Sequence, residues 1–135
     1  LSADKFIIHA DGAARGNPGP AAIGVTIKDE AGHTLASISQ RLGHTTNNQA
    51  EYRAVIAGLE KAVALGAKEV IIKSDSELIV KQINGRYKVK NAALRPLYQE
   101  VVKLAGKLDG FSISYIPRER NREADALANQ ALDSV

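Results

Sequence analysis

Four carboxylates in this 135-residue chain carry the most chemical information: Asp11, Glu51, Asp75 and Asp125. Brought to one place, four anions would repel each other, and their pKa values would rise unless a cation joined them. Hard divalent ions with oxygen ligands meet that need. Mg²⁺ in particular binds through a few carboxylates, keeps several waters and takes further ligands from phosphate oxygens. Two such ions about 3.5 to 4 Å apart activate a water and stabilise the leaving oxygen of a phosphodiester. The chemistry open to this quartet is therefore metal-assisted phosphodiester hydrolysis. Each carboxylate also has an ordinary explanation. Asp11-Gly12 is a common turn dipeptide, Asp75 and Asp125 suit the dipole of a first helical turn, and Glu51 would be unremarkable on an exposed helix face. Their convergence depends on the elements that carry them.

Phe6 to Ala10 is a short apolar run that reads as a strand ending at Asp11-Gly12, and Ala13 to Pro20 reads as loop. Ile23, Val25 and Ile27 alternate, Asp29 to Gly32 turns, and Leu35 to Leu42 returns as a third strand, so the chain opens with an antiparallel meander. Apolar residues at 52, 55, 56, 59 and 63 then mark a helix that Thr46 to Gln49 would cap and Gly66 would stop. Glu69 to Lys73 is a β-branched strand leading into Ser74-Asp75-Ser76-Glu77, which has the form of a second capping box. A helix to about Asn84, a basic connection over Arg86 to Asn91, and a helix over Leu94 to Leu108 follow. Phe111, Ile113 and Tyr115 alternate as a fifth strand, and a last helix starts near Asn121 with Ala124, Leu127, Ala128, Ala131, Leu132 and Val135 on one face.

Strands that alternate with helices join the first strand in parallel through right-handed crossovers. The expected fold is thus α/β, a mixed five-stranded sheet with helices on both faces, in one domain spanning 1–135. In open α/β sheets sites form beyond the carboxyl ends of the strands, where the strand order switches. Asp11 and Asp75 would both emerge there, Glu51 would approach from the crossing helix, and Asp125 would arrive in the first turn of the last helix.

Composition narrows the classes further. Cysteine is absent, which excludes disulfides, zinc-thiolate centres and thiol nucleophiles. No apolar run approaches the ~18–20 residues of a membrane span, so a cytoplasmic globular domain is expected. The chain begins at Leu1 and contains no Met, which points to an upstream or trimmed start. The net charge of +3 is unevenly placed: residues 76–122 carry a local +6 and the rest −3. Without the quartet the chain stands at +7. Such asymmetry fits a polyanion partner, although solvated helix faces would produce it too.

The motifs, in order, are Ala10-Asp11-Gly12-Ala13 with Gly16-Asn17-Pro18-Gly19-Pro20, Thr46-Asn47-Asn48-Gln49-Ala50-Glu51, Ser74-Asp75-Ser76, and Asn121-Arg122-Glu123-Ala124-Asp125-Ala126-Leu127-Ala128. Singly weak, as an ordered set over nearly the whole chain they closely resemble type 1 ribonuclease H. The resemblance implies strand order 3-2-1-4-5 with strand 2 antiparallel. It also implies hydrolysis of the RNA strand of RNA/DNA hybrids to 5′-phosphate and 3′-hydroxyl ends, using two Mg²⁺ ions with Mn²⁺ as substitute, by a chain expected to act as a monomer. Asp11, Glu51, Asp75 and Asp125 match the family's metal-binding carboxylates. Asp11 would bridge both ions, Glu51 and Asp75 would hold the side of the attacking water, and Asp125 would hold the second ion. Asn17, Asn47, Asn48 and Gln49 match its minor-groove contacts. Short amides can donate to 2′-hydroxyls, the group that separates RNA from DNA, while helix-start capping explains Asn47 and Asn48 equally well.

Three features depart from the pattern. The loop before the last helix, Pro117-Arg118-Glu119-Arg120-Asn121, lacks the His found in many bacterial members, and His9, His33 and His44 lie elsewhere. Arg118 could hold a phosphate without titrating, and Glu119 could attract a metal or release product; Arg118 is the better suited. The long basic handle is missing, leaving Arg86, Lys88 and Lys90 as candidate substrate contacts, with no Trp to stack. Glu77 stands where a substrate-contacting Gln is common. Competing readings are another phosphodiester chemistry on the same sheet, such as double-stranded RNA cleavage, and a non-catalytic hybrid-binding module. The second gains nothing from four anions beside a phosphate backbone.

Overall fold

The computed structural model describes residues 4–134 as five strands and four helices. β1 (Lys5–Ala14), β2 (Gly19–Lys28) and β3 (Thr34–Thr45) form the antiparallel meander. α1 (Asn47–Ala64), β4 (Glu69–Ser74), α2 (Glu77–Ile83), α3 (Arg95–Ala105), β5 (Gly110–Tyr115) and α4 (Arg122–Asp133) follow, with a 3₁₀ turn over Arg118–Arg120. The sheet order is β3-β2-β1-β4-β5, and β4 runs parallel to both β1 and β5. Fold class, strand order and the antiparallel second strand all agree with the sequence reading.

Each face of the sheet has its own cover. Phe6, Ile8 and Ala10 of β1 join Val25, Ile27, Val70 and Ile72 in a core closed by Tyr52, Val55 and Leu59 of α1, Ile79 of α2 and Val101 of α3. The Tyr52 hydroxyl satisfies itself within that core by donating to Gln82 Oε1 at 2.8 Å. α4 lies across the opposite face, with Ala131 and Leu132 packed on Ala22. Val135 falls outside the described residues.

Two glycines set how closely the helices approach. A Cβ on Gly12 would run into the backbone of Ala50 and Glu51, and one on Gly24 into Ala124 and Ala128. Gly24 is the cross-strand partner of Asp11. The two carboxylate-bearing helices therefore sit on the sheet at backbone contact, on either side of the strand that carries Asp11.

The local differences from the sequence reading have physical causes. β1 continues to Ala14 and β2 begins at Gly19, because Gly12, Ala13 and Ala14 pair with Ile23, Ala22 and Ala21; the loop is only 15–18. The second capping box does not form. Ser74 Oγ accepts from the Ser76 N–H at 3.1 Å, Ser76 occupies the cap position without a side-chain bond, and Glu77 pairs with Lys81 at 3.1 Å. Half of the first box exists: Thr46 Oγ1 accepts from the Gln49 N–H at 3.2 Å, while Thr45 Oγ1 donates to Gln49 Oε1 at 2.6 Å. Leu78 is exposed on α2, while its neighbour Ile79 is fully buried.

Candidate active site

β1 and β4 end their parallel pairing at Ala10 and Ser74, so Asp11, still within β1, and Asp75, just past β4, follow at the same level of the sheet. Asp11 is only 6 % exposed, held in β1 between β2 and α4. Glu51 comes over the sheet from the first turns of α1, and the Gly12 N–H donates to its Oε1 at 2.6 Å. One oxygen from each of Asp11, Glu51 and Asp75 lies within 4.8 Å of the others. Asp125, in the first turn of α4, lines the same cleft of about 470 Å³ but stands outside that tight triad. The predicted quartet is thus assembled as three plus one.

The electrostatics show what such a cluster costs. Burial, then the charges of Asp75 and Asp125 and a hydrogen bond with the Asp125 carboxyl, push Asp11 up to about 8, against the opposing pull of the Arg118 guanidinium. Glu51 is also raised well above the carboxylate range, first by burial and then by Asp11, although the Gly12 N–H works the other way. Arg15 and Arg118 are the cationic residues lining the cleft among the described residues, and Arg15 is engaged by Asp133 at 2.6 Å. The negative charge exceeds what the protein supplies in return. An all-oxygen donor set crowded to the point of protonation fits one or more hard divalent cations.

Of the amide residues, Asn47 lies in the cleft wall and Asn17 is bonded to it. Asn47 Oδ1 accepts from the Ala14 N–H at 2.9 Å, and the Asn47 N–H donates to Asn17 Oδ1 at 3.1 Å, so the 15–18 loop and the start of α1 are tied together beside the cleft. Asn47 and Arg118 line the cleft, whereas Asn48, Gln49 and Glu119 do not. Of the two loop candidates, the structure places Arg118 at the carboxylates. Lys88 lies apart from the cleft, in a cavity of about 370 Å³ shared with Tyr87, Arg95 and Tyr98; Arg86 and Lys90 are exposed in the same connection.

Sequence reasoning missed Asn121 as a support and Asn129 as a lining residue. Asn121, 1 % exposed, donates from Nδ2 to the Ala10 carbonyl at 3.0 Å and so fastens the start of α4 next to Asp11. Asn129 donates to Asp125, and its signal was the spacing of one helical turn from a candidate ligand. Tyr115 and Leu132, which complete the cleft wall, carried no comparable signal.

Comparisons with known proteins agree with this geometry. A family model described as "Reverse transcriptase-like" matches residues 9–131. The bifunctional protein Rv2228c of Mycobacterium tuberculosis is 47% identical over 132 residues, covering 97% of this chain and 36% of its own. Its N-terminal RNase H domain, solved as a fusion with maltose binding protein, superposes with a TM-score of 0.93 at 46% identity, over 96% of this chain and 99% of that one. Ribonuclease HI of Halobacterium salinarum is 43% identical over 130 residues, covering 95% of this chain and 65% of its own. Its crystal structure superposes with a TM-score of 0.94, over 97% of this chain and 99% of that one. LC11-RNase H1, solved in complex with an RNA/DNA hybrid, gives a TM-score of 0.90 at 45% identity, over 95% and 96% of the two chains. The chain therefore spans about a third of the full length of the first of these curated relatives and about two thirds of the second. Quartet, sheet order and relatives agree, and the chain belongs to the type 1 ribonuclease H family, as a short form without the basic handle.

Proposed function

We propose that this chain hydrolyses the RNA strand of RNA/DNA hybrids at internal phosphodiesters, leaving 5′-phosphate and 3′-hydroxyl ends, and that it does so as a monomer in the cytoplasm. The observation that carries the reading is the carboxylate cluster, with Asp11, Glu51 and Asp75 oxygens within 4.8 Å of one another and Asp125 in the same cleft. Kinship with ribonuclease HI, and a hybrid bound to the structurally similar LC11-RNase H1, support the choice of substrate.

Asp11, Glu51, Asp75 and Asp125 would hold two Mg²⁺ ions, with Mn²⁺ as substitute. When bound, the ions supply positive charge that makes water more acidic and stabilises the charge developing on the phosphate and leaving oxygen. The protein's own part is positioning. The Gly12 N–H fixes one Glu51 oxygen, and the pairing of β1 with β4 fixes the separation of Asp11 and Asp75. Arg118 brings a non-titrating charge suited to a phosphate oxygen to the cleft edge. Asn17 and Asn47, already bonded to each other and to β1, form a rigid rim able to meet ribose hydroxyls in the minor groove. Asn48 and Gln49 follow on the same turn of α1, and Arg86, Lys88 and Lys90 offer phosphate contacts farther along the duplex. In the reaction water adds to phosphorus, the P–O3′ bond breaks, and the 3′ oxygen leaves with a proton. Labelled RNA/DNA, RNA/RNA and DNA/DNA duplexes incubated with Mg²⁺ and then Mn²⁺ test the reading. Cleavage confined to the RNA strand of the hybrid is expected. Hybrid binding without turnover in either metal would leave a binding module in its place.

A further inference from the structure

Asp125 is held differently from the other three carboxylates. Its support comes from its own helix: Asn129, one turn later on α4, donates from Nδ2 to the Asp125 carbonyl at 3.0 Å and to Asp125 Oδ1 at 3.2 Å. Both side chains are half-buried and both line the cleft. The second bond engages one carboxylate oxygen with a neutral donor and adds no positive charge to the site. The Asp125 carboxyl also meets Asp11. The side chain is therefore aimed inward at the triad while one of its two oxygens is already engaged.

We propose that Asn129 is a positioning residue for the reaction: it aims Asp125 at Asp11 and leaves one Asp125 oxygen to serve the second ion, so it sets how tightly that ion is held. The inference rests on the two-ion reading above and adds a residue to it. A cationic side chain in this place would compete with the ion for Asp125, whereas the amide orients the carboxylate and leaves its charge available. The two bonds from Nδ2 separate by substitution. Asn129→Ala removes both. Asn129→Ser restores only a donor to the carbonyl one turn back, the usual bond of a helical Ser hydroxyl.

The test is a Mg²⁺ titration of the ¹⁵N-labelled chain, followed separately at amides near Asp125 on α4 and near Gly12 and Glu51. The Mg²⁺ dependence of hybrid cleavage is measured in parallel, and thermal melts confirm that each variant is folded. For Asn129→Ala the expected result is a midpoint at α4 moved ~3–10-fold to higher Mg²⁺, the size of one lost hydrogen bond of ordinary net strength. The midpoint near Glu51 stays in place. Half-maximal cleavage moves by the same factor, while kcat at saturating Mg²⁺ and KM for the hybrid stay within about twofold, as for a group acting through ion affinity. Asn129→Ser behaves like the Ala variant. Unchanged midpoints, equal movement at both places, no α4 response in the unsubstituted chain, or full rescue by Ser would each overturn the proposal. If the chain fails to cleave hybrids at all, the functional reading falls, and the amide titration still decides whether Asn129 governs an ion at Asp125.

Discussion

Two parts of the molecule face opposite problems. At the carboxyl ends of β1 and β4, four like charges are fixed by backbone pairing, helix contact and the Gly12 N–H, and two of them are pushed toward protonation. In the connection between α2 and α3, Arg86, Lys88 and Lys90 lie exposed. Nearby, Tyr87 is 48% exposed, its ring centroid 5.2 Å from Lys81 Nζ. The carboxylate edge accepts electrostatic cost for fixed geometry. The basic segment keeps its charges solvated at little cost and with little fixed geometry. Reaction chemistry needs atoms placed within tenths of an ångström, whereas gripping a polyanion needs only charge within a Debye length.

The comparison is broken most severely by removing one anion from the fixed edge. Asp75→Asn should keep the fold and lose Mg²⁺-dependent cleavage by at least ~10³-fold, about 4 kcal/mol of barrier. Unchanged cleavage by that variant would remove the quartet from the mechanism. Next comes the packing that holds the edge together. Gly12→Ala puts a methyl group against the backbone of α1 at Ala50 and Glu51, so the helix must back away and take Glu51 with it. We expect a loss of ~1–3 kcal/mol in stability together with loss of cleavage, read by thermal melts and turnover on the same sample. Full activity in Gly12→Ala would mean that Glu51 tolerates displacement.

Most of this edge was legible because it depends on features with a sequence period. Alternation marks strand ends, helical spacing places Glu51 and Asp125 in first turns, and parallel crossovers bring the ends together. What escaped was set by partners distant in sequence. Ala13 and Ala14 look like loop, yet Ala22 and Ala21 opposite them extend the ladder. Ser74 and Glu77 satisfy the spacing of a capping box, but Ser74 is buried at the end of β4 and Glu77 finds Lys81. Asn121 belongs to a recognised motif, yet its bond to the Ala10 carbonyl spans 111 positions that no local pattern encodes.

On the solvated side the effects should be smaller and graded. Replacing Arg86, Lys88 and Lys90 together by Ala should weaken hybrid binding about 10-fold, ~1.4 kcal/mol, with kcat nearly unchanged. If each side chain meets a phosphate, the slope of log affinity against log salt should flatten by ~0.9 per contact. A fall in kcat with the salt slope intact would instead assign this segment to the reaction itself and erase the contrast.

The smallest effect tests the cost of the edge directly. Asp11 stands at about 8 in the fold against an ordinary 3.8, and Glu51 is raised as well. The metal-free fold therefore holds protons that the unfolded chain has released. The stability this contributes is complete below pH ~4 and is lost as the pH rises through ~8. His9 works in the other direction: burial, then Lys73 and Lys28, lower its pKa, so its penalty appears as the pH falls through 6.5. Between pH 6.5 and 8.5 the carboxylates act alone of these three. Metal-free protein should melt several degrees lower at the upper end of that window, at ~3–5 °C per kcal/mol for a chain of this size. Saturating Mg²⁺ should flatten the trend, because the ion binds the deprotonated carboxylates and its stabilisation grows with pH. Glu51→Gln should weaken the slope in metal-free protein, since one of the raised groups no longer titrates. A metal-free melting temperature independent of pH across the window would mean that the charges at this edge are already balanced without a cation, and the reason for placing one there would go with it.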